Sequence, residues 1–229
     1  MLKTLIMVAT FAIISQANPI TADALEYSQQ AEEDQQVLNE FFEGYLRLLD
    51  EDGYWGPDSG RVACAARRLM GWTVGTERLS QWERNELTDK SLSDRRPLHR
   101  WTLVNYLSID TTCHMTYSSV GGEWDRVLRT SSGAPAELST DGEDYRTPKG
   151  LFRLGWTRAG WVESSKYEGG WMLNPRNFIS GTGYHIHGSW HVPARSASHG
   201  CIRVEVSEAD YVLSLASGTY VHVYGENAK

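Results

Sequence analysis

Two hydrophobic rhythms divide this chain, and they change over at a polar stretch, residues 90–99, that contains Arg95, Arg96 and Pro97. Before it, apolar residues recur at three- and four-residue steps. Leu38, Phe41, Phe42, Tyr45 and Leu49 mark an amphipathic helix over 31–50, and Val62, Ala65, Ala66, Leu69 and Met70 mark a second. Asp52-Gly53 ends the first, Gly56-Pro57 forbids an immediate restart, Asp58 or Ser59 caps the second, and Gly71 closes it. A weaker third helix is predicted over 78–87. Beyond residue 100, runs rich in β-branched and aromatic residues read as strands at 101–108, 113–118, 124–130, 151–156, 184–187 and 220–224, with Gly121-Gly122 as a hairpin turn. One helix interrupts them, opened by a capping box at Ser207, Glu208, Ala209 and Asp210. The expectation is a small all-α domain over 33–90, followed by a mainly β domain over 100–225 with one packed helix.

Residues 1–24 read as a signal peptide. Lys3 supplies a positive start, residues 5–14 form an apolar run too short to span a bilayer, and small residues follow at Ala17 and Ala24. The chain is therefore expected to be exported to the periplasm, cell wall or medium, with no membrane association after cleavage. A formal charge of -7 argues against nucleic acid or anionic lipid as partner. Nine Trp and eleven Tyr are many for 229 residues, and such rings suit sugar-rich ligands as well as a core. In an oxidising compartment an odd cysteine is left over. Cys201 is expected to remain a thiol, while Cys64 and Cys113 either form a disulfide or lie buried as two thiols.

Four of the seven histidines, His185, His187, His191 and His199, lie within fifteen residues, beside Cys201. Three readings compete for them. In the first, Cys201 is a nucleophile, one imidazole takes its proton, and the small neighbours Gly188 and Gly200 let a substrate backbone come close. In the second, His185 and His187 share a strand face and His191 or Cys201 completes a zinc site, although no Cys-x-x-Cys or His-x-x-x-His spacing supports it. In the third, the histidines are scaffold.

The segment resembles the L,D-transpeptidase catalytic domain of the YkuD type, whose signature is His-Gly, a gap, then Ser/Thr-His-Gly-Cys, an apolar residue, and Asn or Arg. Here the matching residues are His187-Gly188, then Ser198, His199, Gly200, Cys201, Ile202 and Arg203. Ser131-Ser132-Gly133, the run from Arg146 and Thr147 to Phe152, Met172 to Pro175, and Gly218 to Val221 resemble further family segments in the right order. The gap is short, Ser132 replaces a common Thr, and residues 134–145 are longer and more acidic than usual. The resemblance implies a β-sandwich or barrel with one packed helix, and an enzyme acting on peptidoglycan stem peptides without metal or organic cofactor. It implies Cys201 as nucleophile and His187 as proton acceptor and donor. It also implies an oxyanion site at the backbone of His199, Gly200 and Cys201, Ser198 as an orienting group, and Arg203 facing a substrate carboxylate. A carboxypeptidase on the same stems and a non-catalytic wall-binding protein are the alternatives. The run from Asp52 to Ser59, with Ala63 and Ala66 after it, is similar to a three-helix peptidoglycan-binding module. Arg67-Arg68-Leu69 departs from that module's usual Phe-Gln.

Overall fold

A computed structural model describes residues 26–97, 104–164, 167 and 169–227. The expected signal peptide, and the predicted linker and strand where they cross 98–103, lie outside the described residues.

Helix α1 spans Gln29–Phe41 and is shorter than its apolar pattern predicts. The chain leaves the helix at Phe42, and Gly44 follows in the left-handed region at φ 80°. Leu46 and Leu49 nevertheless stay buried, so the sequence periodicity reports burial here rather than helix. Helix α2, Pro57–Met70, begins with a proline at its first turn, after Gly56 rather than after Asp58 or Ser59, and ends on left-handed Gly71 at φ 77°. Helix α3, Gln81–Leu87, starts three residues later than predicted, where Ser80 and Glu83 form a reciprocal capping box. Arg67, buried on α2, donates from two nitrogens to the Glu83 carboxylate at 2.6 and 3.0 Å and also bonds the carbonyls of Gly75, Glu77 and Arg78. This cation organises the loop between α2 and α3.

Among the described residues nine strands follow: β1 Tyr106–Asp110, β2 Met115–Val120, β3 Glu123–Ser131, β4 Gly150–Arg153, β5 Trp161–Glu163, β6 Trp171–Asn177, β7 His185–Ser189, β8 Ile202–Glu205 and β9 Tyr220–Tyr224. They form one sheet in the order β4-β9-β1-β2-β3-β8-β7-β6-β5, antiparallel except for β1 with β9 and β7 with β8. Gly121 and Gly122, both with positive φ, turn the β2–β3 hairpin as predicted. The two halves of the sheet are stitched by β3 and β8 through only two residue pairs, Thr130 with Val204 and Ser131 with Arg203. Helix α4, Ala209–Ser214, packs on β6 and β7. It is entered through a 3-10 turn, Val206–Glu208, with no side-chain cap hydrogen bond, so the predicted capping box at Ser207 is absent.

Alternation divides the burial between two cores. Leu107 and Ile109 of β1, Leu128 of β3, Ile186 of β7, and Ile202 and Val204 of β8 pack with Val212 and Leu215 of the α4 region. On the other face, Met115 and Tyr117 of β2 and Val127 of β3 join Leu38, Phe41, Phe42, Val62 and Leu69 in a single cluster with the helices. Cys64 on α2 and Cys113, just before β2, form a disulfide. Arg68 adds a 2.7 Å ion pair to fully buried Asp110. Arg61, buried on α2, donates to the carbonyls of Thr130 and Val192 at 3.4 and 3.2 Å, reaching both β3 and the loop after β7.

Candidate active site

Strand β7 turns Ile186 into the core, which places His185 and His187 together on the opposite face. Its parallel neighbour β8 pairs Ile186 with Ile202 and His187 with Arg203, so Cys201, one residue before β8, enters beside this histidine pair. Gly188 is required by packing: a Cβ there would lie 2.7 Å from Cβ of Ala209 and 3.1 Å from Cβ of Leu173. His187, His185, Cys201 and Arg203 all line one open groove of about 590 Å³. A groove of this volume lies within the range of small-ligand sites.

The turn that carries Cys201 is fixed from inside. Ser198 Oγ donates to the Cys201 carbonyl at 2.5 Å and accepts from the Gly200 N–H at 3.1 Å. Gly200 has φ 113° and packs so close to Tyr184 that a Cβ would lie 2.6 Å from its ring. Thr147, fully buried, accepts from Gly133 N–H at 3.0 Å and donates to Gly200 O at 2.9 Å, tying this turn to the end of β3. Gly133 itself lies against the Tyr145 carbonyl, leaving no room for a side chain. The Cys201 thiol points to the Gly183 carbonyl at 3.6 Å.

His187 is buried and its Nδ1–H donates to its neighbour's carbonyl, Gly188 O, at 3.0 Å. A carbonyl can only accept, so the proton sits on Nδ1 and Nε2 keeps its lone pair in the neutral ring. Burial pulls the His187 pKa down to about 4; the Gly188 hydrogen bond opposes this, and nearby Arg203 and His185 reinforce it. The ring is neutral over the physiological range. Arg203 is half-buried beside the thiol, its pKa lowered by burial with Cys201 acting in the other direction. It remains a cation facing the groove.

The YkuD family model, an L,D-transpeptidase catalytic domain, matches residues 104–223. The chain belongs to the L,D-transpeptidase family. It is similar in fold to an L,D-transpeptidase of Xylanimonas cellulosilytica, with 24% identity, 86% of this chain and 94% of that chain covered, and a TM-score of 0.59. An L,D-transpeptidase of Stackebrandtia nassauensis shares 16% identity, with coverages of 88% and 93% and a TM-score of 0.52. Both likenesses extend beyond residues 104–223, so the shared fold takes in part of the helical region. A comparison with curated proteins finds no match. The mainly β fold with a packed helix, read from the sequence, is thus that of this L,D-transpeptidase.

Within the L,D-transpeptidase groove the residues singled out by sequence have different surroundings. Ser198 spends its hydroxyl within the turn, and the Gly200 N–H is taken by that same hydroxyl. His199 is exposed and stacks on Tyr167 at 4.1 Å, with Tyr145 edge-on at 4.5 Å, so it builds the groove wall. Tyr145 in turn donates to Asp141 at 2.6 Å, which brings the acidic insertion to the groove. His185 Nδ1–H donates to Gly183 O at 2.8 Å, and His191 lies on the loop after β7. Among the described residues no group of three His, Cys, Asp or Glu is arranged to hold a metal. Sequence reasoning missed Tyr145, Tyr167, Tyr184 and Trp171 as groove residues. Thr147 sits in a segment that the resemblance marks, and its neighbour Pro148 was the available signal.

Proposed function

We propose that this L,D-transpeptidase is exported and acts on peptidoglycan stem peptides through a thioester on Cys201, with His187 as the proton carrier. The observation that carries the reading is that Cys201 and a buried, neutral His187 of fixed tautomer line the same groove. The sulfur attacks the carbonyl carbon of an L-configured stem centre while His187 Nε2 takes the thiol proton. Backbone N–H groups flanking Gly200 serve the oxyanion, because the Gly200 N–H already bonds Ser198. The tetrahedral intermediate expels the terminal D-residue, whose nitrogen receives the proton back from His187. An amine on a second stem then attacks the thioester carbonyl, forms the new amide and releases the thiol. No external energy source is needed, because one amide replaces another. Arg203 receives a stem carboxylate. Tyr145, Tyr167 and His199 form the wall along which the peptide lies.

Intact mass after incubation with a stem tetrapeptide tests this directly. The expected product carries the tetrapeptide minus its terminal residue on Cys201, and Cys201→Ala carries nothing. An unmodified wild-type protein ends the proposal. The pH profile tests the proton carrier: adduct formation should hold down to about pH 5 and fall as His187 protonates near pH 4. An acid limb near 6.5 instead would mean a solvated, ordinary imidazole. Among the described residues no helix is long and apolar enough to cross a membrane, and export rests on residues 1–24, tested by N-terminal sequencing of the secreted protein.

A further inference from the structure

Four tryptophans on the β5–β7 side of the sheet have no core to fill. Trp190 is 82% exposed, Trp156 55%, Trp171 54% and Trp161 42%. Isolated exposed rings need no explanation, but a cluster of them marks a binding surface. Trp161 on β5 and Trp190 after β7 lie ring over ring, with centroids 6.1 Å apart and planes 21° from parallel. Trp171 faces Glu163 across the β5–β6 ladder, two residues from Leu173, which faces Trp161. The three rings therefore belong to one face of the sheet edge. This surface borders the catalytic groove at Trp171, which lines it.

We infer that the Trp161–Trp190 pair is a glycan-binding platform that receives the sugar strand from which the stem peptide hangs. The inference rests on the stem-peptide reading above and extends it from peptide to polymer. A stem in the groove must run back to its sugar, and the sugar must leave the groove at one of its borders. Pyranose rings present an apolar face of C–H groups that stacks on flat aromatic rings, while their hydroxyls and acetamides stay in water. Exposed, nearly parallel indoles beside the groove supply that kind of contact. A lipid surface would also take tryptophan, but a protein of net charge -7 is poorly suited to the anionic bilayers it would meet.

The test uses the Cys201→Ala protein and β-1,4-linked hexa-N-acetylglucosamine, a probe with the amino-sugar backbone but no stem. Calorimetric titration should show saturable binding, weakened at least tenfold by adding Trp161→Ala and Trp190→Ala. In the Cys201 background the same double substitution should leave the unfolding midpoint and acylation by a free stem tetrapeptide unchanged. It should slow turnover of glycan-linked stems several-fold. Absence of sugar binding, or sugar binding untouched by the double substitution, overturns the platform. So does co-sedimentation with phosphatidylcholine–phosphatidylglycerol vesicles that depends on these two tryptophans, since that assigns the rings to lipid. If wild-type protein forms no thioester with tetrapeptide, the stem-peptide chemistry fails separately, because the sugar titration requires no thiol.

Discussion

Thr147 shows how much of the placement of Cys201 is done by a residue buried beneath its turn. Its hydroxyl joins the Gly133 N–H to the Gly200 carbonyl, and it is fully buried. Thr147→Val keeps the shape and removes both bonds, leaving a donor and an acceptor unpaired at a cost of about 1–3 kcal/mol. We expect urea unfolding to show a loss of that order. We also expect acylation of Cys201 to slow by roughly tenfold or more, as small misplacements at a reacting centre do. A variant with wild-type stability and rate would show that the turn holds itself. That Cys201 and His187 share a groove was legible in sequence, because a small residue, Gly200 or Gly188, adjoins each of them in the chain. Tyr145 and Tyr167 were not, because they reach His199 from segments 54 and 32 positions upstream, and only the folded chain brings them together.

At the scale of elements, local signals located starts and stops best where backbone conformation itself was constrained. Gly71 ended α2 and Gly121-Gly122 turned the hairpin because those positions need positive φ. Strands β5, β6 and β8 went unread. In β6 the run contains Asn174 at φ 50° and Pro175, and the ladder shifts register between Leu173 and Arg176, which breaks the simple alternation that betrays a strand. The alternatives left open for Cys64 and Cys113 resolve as a disulfide, closing a separation of 49 residues between α2 and the start of β2. Replacing both by Ser should lower stability by about 2–4 kcal/mol, measured by urea denaturation against the oxidised wild type. Acylation at low temperature should be unchanged, since Cys201 lies in the other half of the sheet. An unchanged unfolding midpoint would show that packing alone carries this junction.

For the molecule as a whole, titration of buried groups sets an acid limit to stability. An unfolded histidine takes up its proton near 6.5, whereas burial holds His187 and His114 down to about 4 in the fold. Between those values the unfolded chain binds protons that the native one refuses, so stability declines as pH drops from about 6.5 to 4. Glu83, lowered to about 2 chiefly by its hydrogen bonds to Arg67, adds a second loss as pH falls below about 4.5. Asp34, pushed up by burial, acts in the opposite sense. Urea midpoints at pH 7, 5.5 and 4 should fall monotonically, and equal values at pH 7 and 4 would refute this account. The helices share one cluster with β2 and β3, which the sequence could not reveal, because periodicity says that a face is buried but not against what.

The two-pair seam between β3 and β8 gives that shared packing its importance. Its last rung, Ser131 with Arg203, lies two residues from Cys201, so any hinge-like flexing between the half-sheets would be felt first at that thiol. Arg61 grips the strand on one side of this narrow joint and the loop leading to Cys201 on the other. The N-terminal helices therefore brace mechanically the turn that carries Cys201.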